Sequence, residues 1–195
     1  DHDVEERQIG RAVSGIEFLD EAPERDVLML DRLGDRSVHP AHQLHERRPA
    51  GEIAAAELGL PVRMRLVSYA FVGVEPEVMG IGPIPAAEKA LRQAGLTIED
   101  IGLFELNEAF AVQVLAFLDH YGIADDDERV NPWGGAIAIG HPLASSGVRL
   151  MTQLAHHFEE NPQVRYGLVA MCIGIGMGGC VIWENPHHAD YGKEN

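Results

Sequence analysis

Apolar positions hold no sustained period over the first fifty residues and become few from Asp31 to Arg48. Asp1 to Glu24 is acid-rich with weak helical periodicity, and Asp26 to Leu30 (DVLML) reads as a short strand. Asp31 to Arg48 is mostly Arg, His, Asp and Pro, so residues 1–50 read as an unassigned linker or poorly ordered chain. From about residue 51 the pattern sharpens. Ile53 to Leu60 is alanine-rich and helical, closed by Gly59 and Pro61. Arg65 to Val74 has the β-branched and aromatic content of a strand. A Pro/Gly loop with Met79 at its centre runs from Glu75 to Pro85, and a helix from Ala86 to Ala94 is stopped by Gly95. Ile101 to Leu106 is a short apolar strand. Asn107 to Tyr121 is then a helix whose Phe110, Val114, Phe117 and Leu118 form one buried face, with Asn107 at its N-cap. Beyond an acidic turn and a glycine-rich loop come a helix from about Ser145 to Glu159, a strand from Tyr166 to Cys172 and another from Val181 to Glu184. Residues 187–195 read as a solvated tail.

Strands alternating with helices imply an α/β fold with a parallel sheet covered on both faces and function at the strand C-termini. The last two strands are joined too tightly for a crossover helix and are expected to form an antiparallel hairpin.

Composition narrows the function classes. A formal net charge of −16 argues against nucleic-acid binding, which needs a basic face. No apolar run of membrane-spanning length is present and the acidic N-terminus is no signal peptide, so the expectation is a soluble, cytoplasmic protein without membrane insertion. Two cysteines suggest reduced thiols, not a disulfide framework.

Chemistry concentrates between Asn131 and Trp183, in the segments Gly134 to Leu143 (GGAIAIGHPL) and Met171 to Gly179 (MCIGIGMGG). Each sets one protonatable side chain, His141 or Cys172, among glycines that permit close approach. Gly174-x-Gly176-x-x-Gly179 spells a dinucleotide fingerprint, but a short β-branched run follows where a helix is required, and that reading fails. There is no G-x-S-x-G elbow. His39, His42 and His45, and Cys180 with His187 and His188, lack the spacing of a metal shell, so no metal is expected. A cysteine among N–H donors has what it needs to become a thiolate. A histidine at a helix start is held rigid and biased toward the neutral form. Asn107, at a third strand end, adds an uncharged polar group on the same edge.

These residues resemble the thiolases, the enzymes that make or cleave 3-ketoacyl-CoA. The matching motifs are Asn107-Glu108-Ala109-Phe110-Ala111, Gly134 to Pro142, and Cys172-Ile173-Gly174-x-Gly176-Met177-Gly178, with a further match over Val78 to Pro83. The wording around Leu143 to Gly147 and Trp183 to Pro186 looks most like the degradative 3-ketoacyl-CoA thiolases, including β-subunits of fatty-acid oxidation complexes. The resemblance implies a thiolase C-terminal half over residues 51–186, with a mixed five-stranded sheet flanked by helices and a final β-hairpin. It implies that Cys172 is the acid/base thiol at the substrate α-carbon. His141, with a water held by Asn107, would donate to the thioester oxygen, and the Gly174 amide would serve another oxyanion site. Met79, Ala109 and Phe110 would line the CoA and acyl path, with coenzyme A a substrate and no cofactor required.

The nucleophilic cysteine of that family lies in a Cys-x-Ser-Gly-type motif of the N-terminal half, and neither Cys172 nor Cys180 matches it. The expectation is therefore a truncated thiolase form that keeps the proton-transfer pair and lacks the acyl-accepting thiol. The partners implied are acyl-CoA and CoA, a homo-oligomeric mate or complementary thiolase half, and a hydratase/dehydrogenase α-subunit. The alternative is a non-catalytic CoA-binding or assembly module derived from such a half.

Overall fold

The computed structural model describes residues 50–193. The chain divides into two compact units, Asp1–Pro61 and Val62–Asn195. In the first, α1 (Ala50–Leu58) is the expected alanine-rich helix. It ends where Gly59 takes φ 65° and the Leu60 amide donates to the Ala55 carbonyl at 2.8 Å. The strand read at Asp26 to Leu30 and the histidines at 39, 42 and 45 lie outside the described residues.

The second unit runs β1 (Arg65–Gly73), a 3-10 turn (Pro76–Ile81), α2 (Pro83–Ala94), β2 (Ile101–Leu106), α3 (Ala111–Tyr121), α4 (Ala136–Ile139), α5 (Leu143–Glu160), β3 (Tyr166–Ile173) and β4 (Met177–Glu184). Among the described residues four strands form one mixed sheet in the order β1-β4-β3-β2. β2 and β3 pair in parallel, while β4 is antiparallel to both β1 and β3. The mixed sheet and the antiparallel final hairpin are as expected. β1, β2 and β3 run the same way, as helical crossovers require, whereas β4 returns directly through the turn at 174–176 and slots between β1 and β3. The C-terminal ends of three strands and the start of β4 therefore share one edge.

Side chains alternate across this sheet. One face packs Phe104, Leu168, Ala170, Cys180 and Ile182 against Ala86, Ala87, Ala90 and Leu91 of α2 and Phe117 of α3. The other packs Leu103 and Val169 against Leu150, Leu154 and Phe158 of α5. Each fully buried large side chain contributes roughly 1.5–3 kcal/mol. At the functional edge Gly178 of β4 meets the Gly82 backbone so closely that any Cβ would overlap it, which seats the loop after β1 on the hairpin.

Three expectations need correction. α3 starts at Ala111 with Phe110 in the N-cap position, so Asn107 is not a cap. Its amide instead donates to the Ala170 carbonyl at 2.9 Å, extending the β2–β3 ladder by one residue and keeping it out of the helix. The last strand starts at Met177, earlier than its β-branched run. The C-terminal segment from 187 to 193 is exposed or half-buried as expected, but it is tethered and does not trail free. The Asn185 side chain donates to the carbonyls of Phe158, Asn161 and Val164 and accepts from the His187 amide. Buried Glu184 accepts from Arg65, Arg165 and the Gly192 amide.

Candidate active site

Asn107 leaves β2 at the shared edge and is buried. Its carbonyl accepts from the Gln113 side chain at 3.2 Å, tying the loop to the first turn of α3. Its amide nitrogen lies 3.3 Å from Nε2 of His141. His141 is delivered by Gly140, whose φ of 92° with ψ of 162° is a conformation open only to glycine. Its other nitrogen, Nδ1, lies 2.7 Å from the Ser146 hydroxyl in the first turn of α5.

Those contacts choose a tautomer. The Ser146 hydroxyl also reaches the Pro142 carbonyl at 3.1 Å, and only the hydroxyl can donate there. Ser146 Oγ is then the acceptor for Nδ1–H, and Nε2 carries a lone pair that accepts from Asn107. His141 is thereby set up to take a proton at Nε2 and afterwards to donate it. The remaining Asn107 atom, Oδ1, is buried and has no hydrogen-bond partner among the described residues.

Cys172 lies near the end of β3 opposite Gly178 and is half-buried. Because Leu106 pairs with Ala170, Cys172 falls on the same sheet edge as Asn107. Burial pushes its thiol above the usual range, more than a backbone hydrogen bond lowers it. The thiolate that the glycine-rich surroundings suggested is thus opposed by desolvation, and the resting group is a protonated thiol. Cys180, fully buried opposite Ala170, is pushed up by burial much further and is packing, not chemistry.

Gly174 is exposed at the start of the turn between β3 and β4. Met79 is half-buried in the turn after β1, whose Gly80 lies against the Gln113 side chain. Ala109 is half-buried, and Phe110 is 53% exposed at the head of α3. All four belong to loops at the shared edge. The structure joins Asn107 to His141 directly and puts Cys172, two residues beyond the Ala170 that pairs with Leu106, on the same sheet edge. Among the described residues no group of His, Cys, Asp and Glu is arranged to hold a metal ion.

Sequence reasoning missed Ser146, Gln113, Glu108 and Asn131. Ser146 carried a signal: a hydroxyl five positions beyond His141, one helical turn into the next element. A second buried cluster was also missed. Glu105 of β2 has Oε1 3.3 Å from Nε2 of His157 on α5. The His157 ring lies 4.1 Å from that of Trp133. Burial raises Glu105 to about 8, with Arg149 opposing the rise and Glu108 adding to it, and burial lowers His157. Both shifts favour uncharged forms, so this is a neutral contact and not a salt bridge, and neither Glu105 Oε1 nor His157 Nε2 has a hydrogen-bond partner among the described residues.

A model of the family described as "Thiolase, C-terminal domain" matches residues 60–185. A protein of Pseudoalteromonas translucida named 3-ketoacyl-CoA thiolase is 53% identical over 134 residues, 68% of this chain and 34% of that protein. The 3-ketoacyl-CoA thiolase of Pectobacterium carotovorum is 51% identical over 134 residues, again 68% and 34%. In rat, 3-ketoacyl-CoA thiolase B, peroxisomal, is 51% identical over 132 residues, 68% of this chain and 31% of that protein. The chain spans about a third of the length of these curated relatives. None of the described helices is long and apolar enough to cross a membrane.

Proposed function

Because this chain belongs to the thiolase family, we propose that it carries the proton-transfer half of an active site for acyl-CoA chemistry. The overall reaction is cleavage of a 3-ketoacyl-CoA by CoA to give acyl-CoA and acetyl-CoA, as in fatty-acid β-oxidation. The single observation supporting this reading is the Asn107–His141 contact, 3.3 Å long, on the sheet edge that also holds Cys172.

Cys172 exchanges a proton with the α-carbon of the acetyl group. In the cleavage direction its thiol gives that proton to the departing carbanion; in reverse the thiolate takes it back. Once Nε2 of His141 has taken up a proton, it donates to the negative charge that appears on the thioester oxygen, together with a water held at the free Oδ1 of Asn107. The Gly174 amide serves a second oxyanion site, and Met79, Ala109 and Phe110 line the path of CoA and the acyl chain. Positioned acid/base transfer is worth about 10²–10⁴-fold, and donors aimed at an oxyanion add roughly 10²–10³-fold each. Coenzyme A is a substrate and no cofactor is called for.

The covalent step needs an acyl-accepting thiol, and the two cysteines of the sequence do not supply it. Cys172 is committed to the proton, and Cys180 is sealed in the core. That thiol comes from a complementary thiolase half. A second reading, a non-catalytic assembly module, is favoured by Leu143 (81% exposed) and Val148 (63%), which leave apolar surface open on α5. A monomer on size exclusion that binds no hydrophobic dye would count against it.

The test is exchange of acetyl-CoA methyl protons for deuterium in D₂O, read by mass spectrometry. The chain is expected to catalyse exchange, Cys172→Ala to abolish it, and thiolysis of acetoacetyl-CoA to be absent without a partner. Exchange that survives Cys172→Ala, or none in the unaltered chain, would overturn the assignment. Thiolysis by the chain alone would overturn the claim that its site is incomplete.

A further inference from the structure

Glu108 follows Asn107 in the chain but grips a different part of the glycine-rich loop. Its Oε2 accepts from the Ile137 amide at 2.9 Å, in the first turn of α4. Its Oε1 accepts from the Asn131 side chain at 2.9 Å. Asn131 is itself fixed to β2, since its Oδ1 accepts from the Leu106 amide at 2.7 Å and its amide group donates to the Leu106 carbonyl at 3.0 Å. The carboxylate thus lies at the junction of β2, the residue that opens the loop, and the short helix that precedes Gly140 and His141.

Gly135 shows that this junction is built to size. Its φ of −115° and ψ of −164° are open to any residue, so torsion does not demand glycine there. Space does. A Cβ on Gly135 would overlap the carboxyl carbon and both oxygens of Glu108. The carboxylate occupies the volume a side chain would have taken, and the Gly135 carbonyl remains free to accept from the Ala138 and Ile139 amides.

We infer that Glu108 is a positioning residue for His141, acting with Gly135 as a fitted latch. The dipeptide Asn107-Glu108 holds the loop at two points: Asn107 at the imidazole itself, Glu108 at the amide of Ile137 four residues earlier. Between them the loop cannot slide along β2, and Nε2 of His141 stays within reach of Asn107. The catalytic consequence rests on the role proposed above for His141; the latch does not.

The experiment uses the full ¹⁵N-labelled chain, with amide exchange at Ile137 and the imidazole ¹⁵N shifts of His141 as readouts. Loss of a hydrogen bond to a charged acceptor corresponds to an acceleration of roughly ten- to a hundredfold. Glu108→Ala should speed Ile137 exchange by that factor and shift the His141 imidazole signals toward a mixture of tautomers. Gly135→Ala should do the same although it removes no hydrogen-bonding group. The double variant should be no worse than Glu108→Ala, because the new methyl then meets no carboxylate. Glu108→Gln keeps the volume, so its fold is retained, but it places an NH₂ against one of two donors; it should also disturb the imidazole signals. Additive effects in the double variant, or an unchanged His141 spectrum in Glu108→Gln, would refute the latch. If the variants respond as stated while the unaltered chain exchanges no acetyl-CoA protons, the latch stands and the functional reading falls. If the chain exchanges acetyl-CoA protons and the imidazole spectrum ignores Glu108, the reverse holds.

Discussion

Replacing Glu105 by Gln should remove a pH dependence from the stability of this protein. The carboxyl is fully buried between β2 and α5, and burial raises it from 4.5 to about 8. The folded state therefore keeps a proton that the unfolded chain releases, and stability falls as pH rises toward the folded value. Between pH 6.5 and 8, linkage gives a loss of roughly 1.5 kcal/mol. For a domain of this size that is a fall in Tm of about 5 °C. The window isolates Glu105 from its neighbour. His157 is depressed by burial, so its contribution is present above its ordinary value of 6.5 and is lost only as pH falls through lower values. Glutamine keeps the volume but cannot titrate. Thermal melting of both proteins at closely spaced pH values is the assay. The unaltered chain should slope downward across the window while Glu105→Gln stays flat. Parallel curves would mean that Glu105 ionises normally and that the neutral pair with His157 is wrong.

Other expectations follow from single contacts. With iodoacetamide near pH 7.5, Cys172 should react slowly and faster above the usual thiol range, and Cys180 only after denaturation; intact-mass analysis that finds Cys180 modified first would contradict their burial. Ser146→Ala removes the 2.7 Å partner of His141 Nδ1 and frees the ring to change tautomer. Imidazole ¹⁵N spectra should then show both forms, and acetyl-CoA exchange should fall about fivefold to tenfold, as for one lost hydrogen bond near 1 kcal/mol. Asn185→Ala strips the donors from three carbonyls and should cost about 2–3 kcal/mol in denaturant unfolding; a loss below roughly 0.5 kcal/mol would show that water replaces the side chain.

The parts of the fold governed by local pattern were legible in the chain. The face of α3 formed by Val114, Phe117 and Leu118, the glycine stop at Gly95 and the apolar run of β2 each announce themselves within a dozen residues, but Phe110, read onto the same face, is the exposed N-cap. The antiparallel turn of the last two strands was legible too, but the strand order was not, because the insertion of β4 between β1 and β3 pairs Arg65 with Glu184, distant positions that share no sequence signal. The candidate site divides the same way. His141 and Cys172 stood out because a protonatable group among glycines is unusual. Asn107 was placed on the right edge with the wrong local role, since its amide continues the ladder to Ala170 and does not start a helix. Glu108 was invisible as a structural group. A carboxylate next to a helix reads as solvated surface, and only the backbone of Gly135 folded against it reveals otherwise.

The outer edge of β2 has a consequence for the chain's behaviour in a crowded solution. Phe104 donates its amide to the Arg129 carbonyl at 2.8 Å and accepts from the Asn131 amide at 2.8 Å, forming a one-residue parallel bridge with Val130. An open strand of that length, apolar on both faces, is a template on which another polypeptide could add itself and polymerise. Here the stretch that opens the glycine-rich loop already occupies the middle of that edge, so sheet growth by addition is blocked at this side. The residues that lead the imidazole to its place also terminate the sheet.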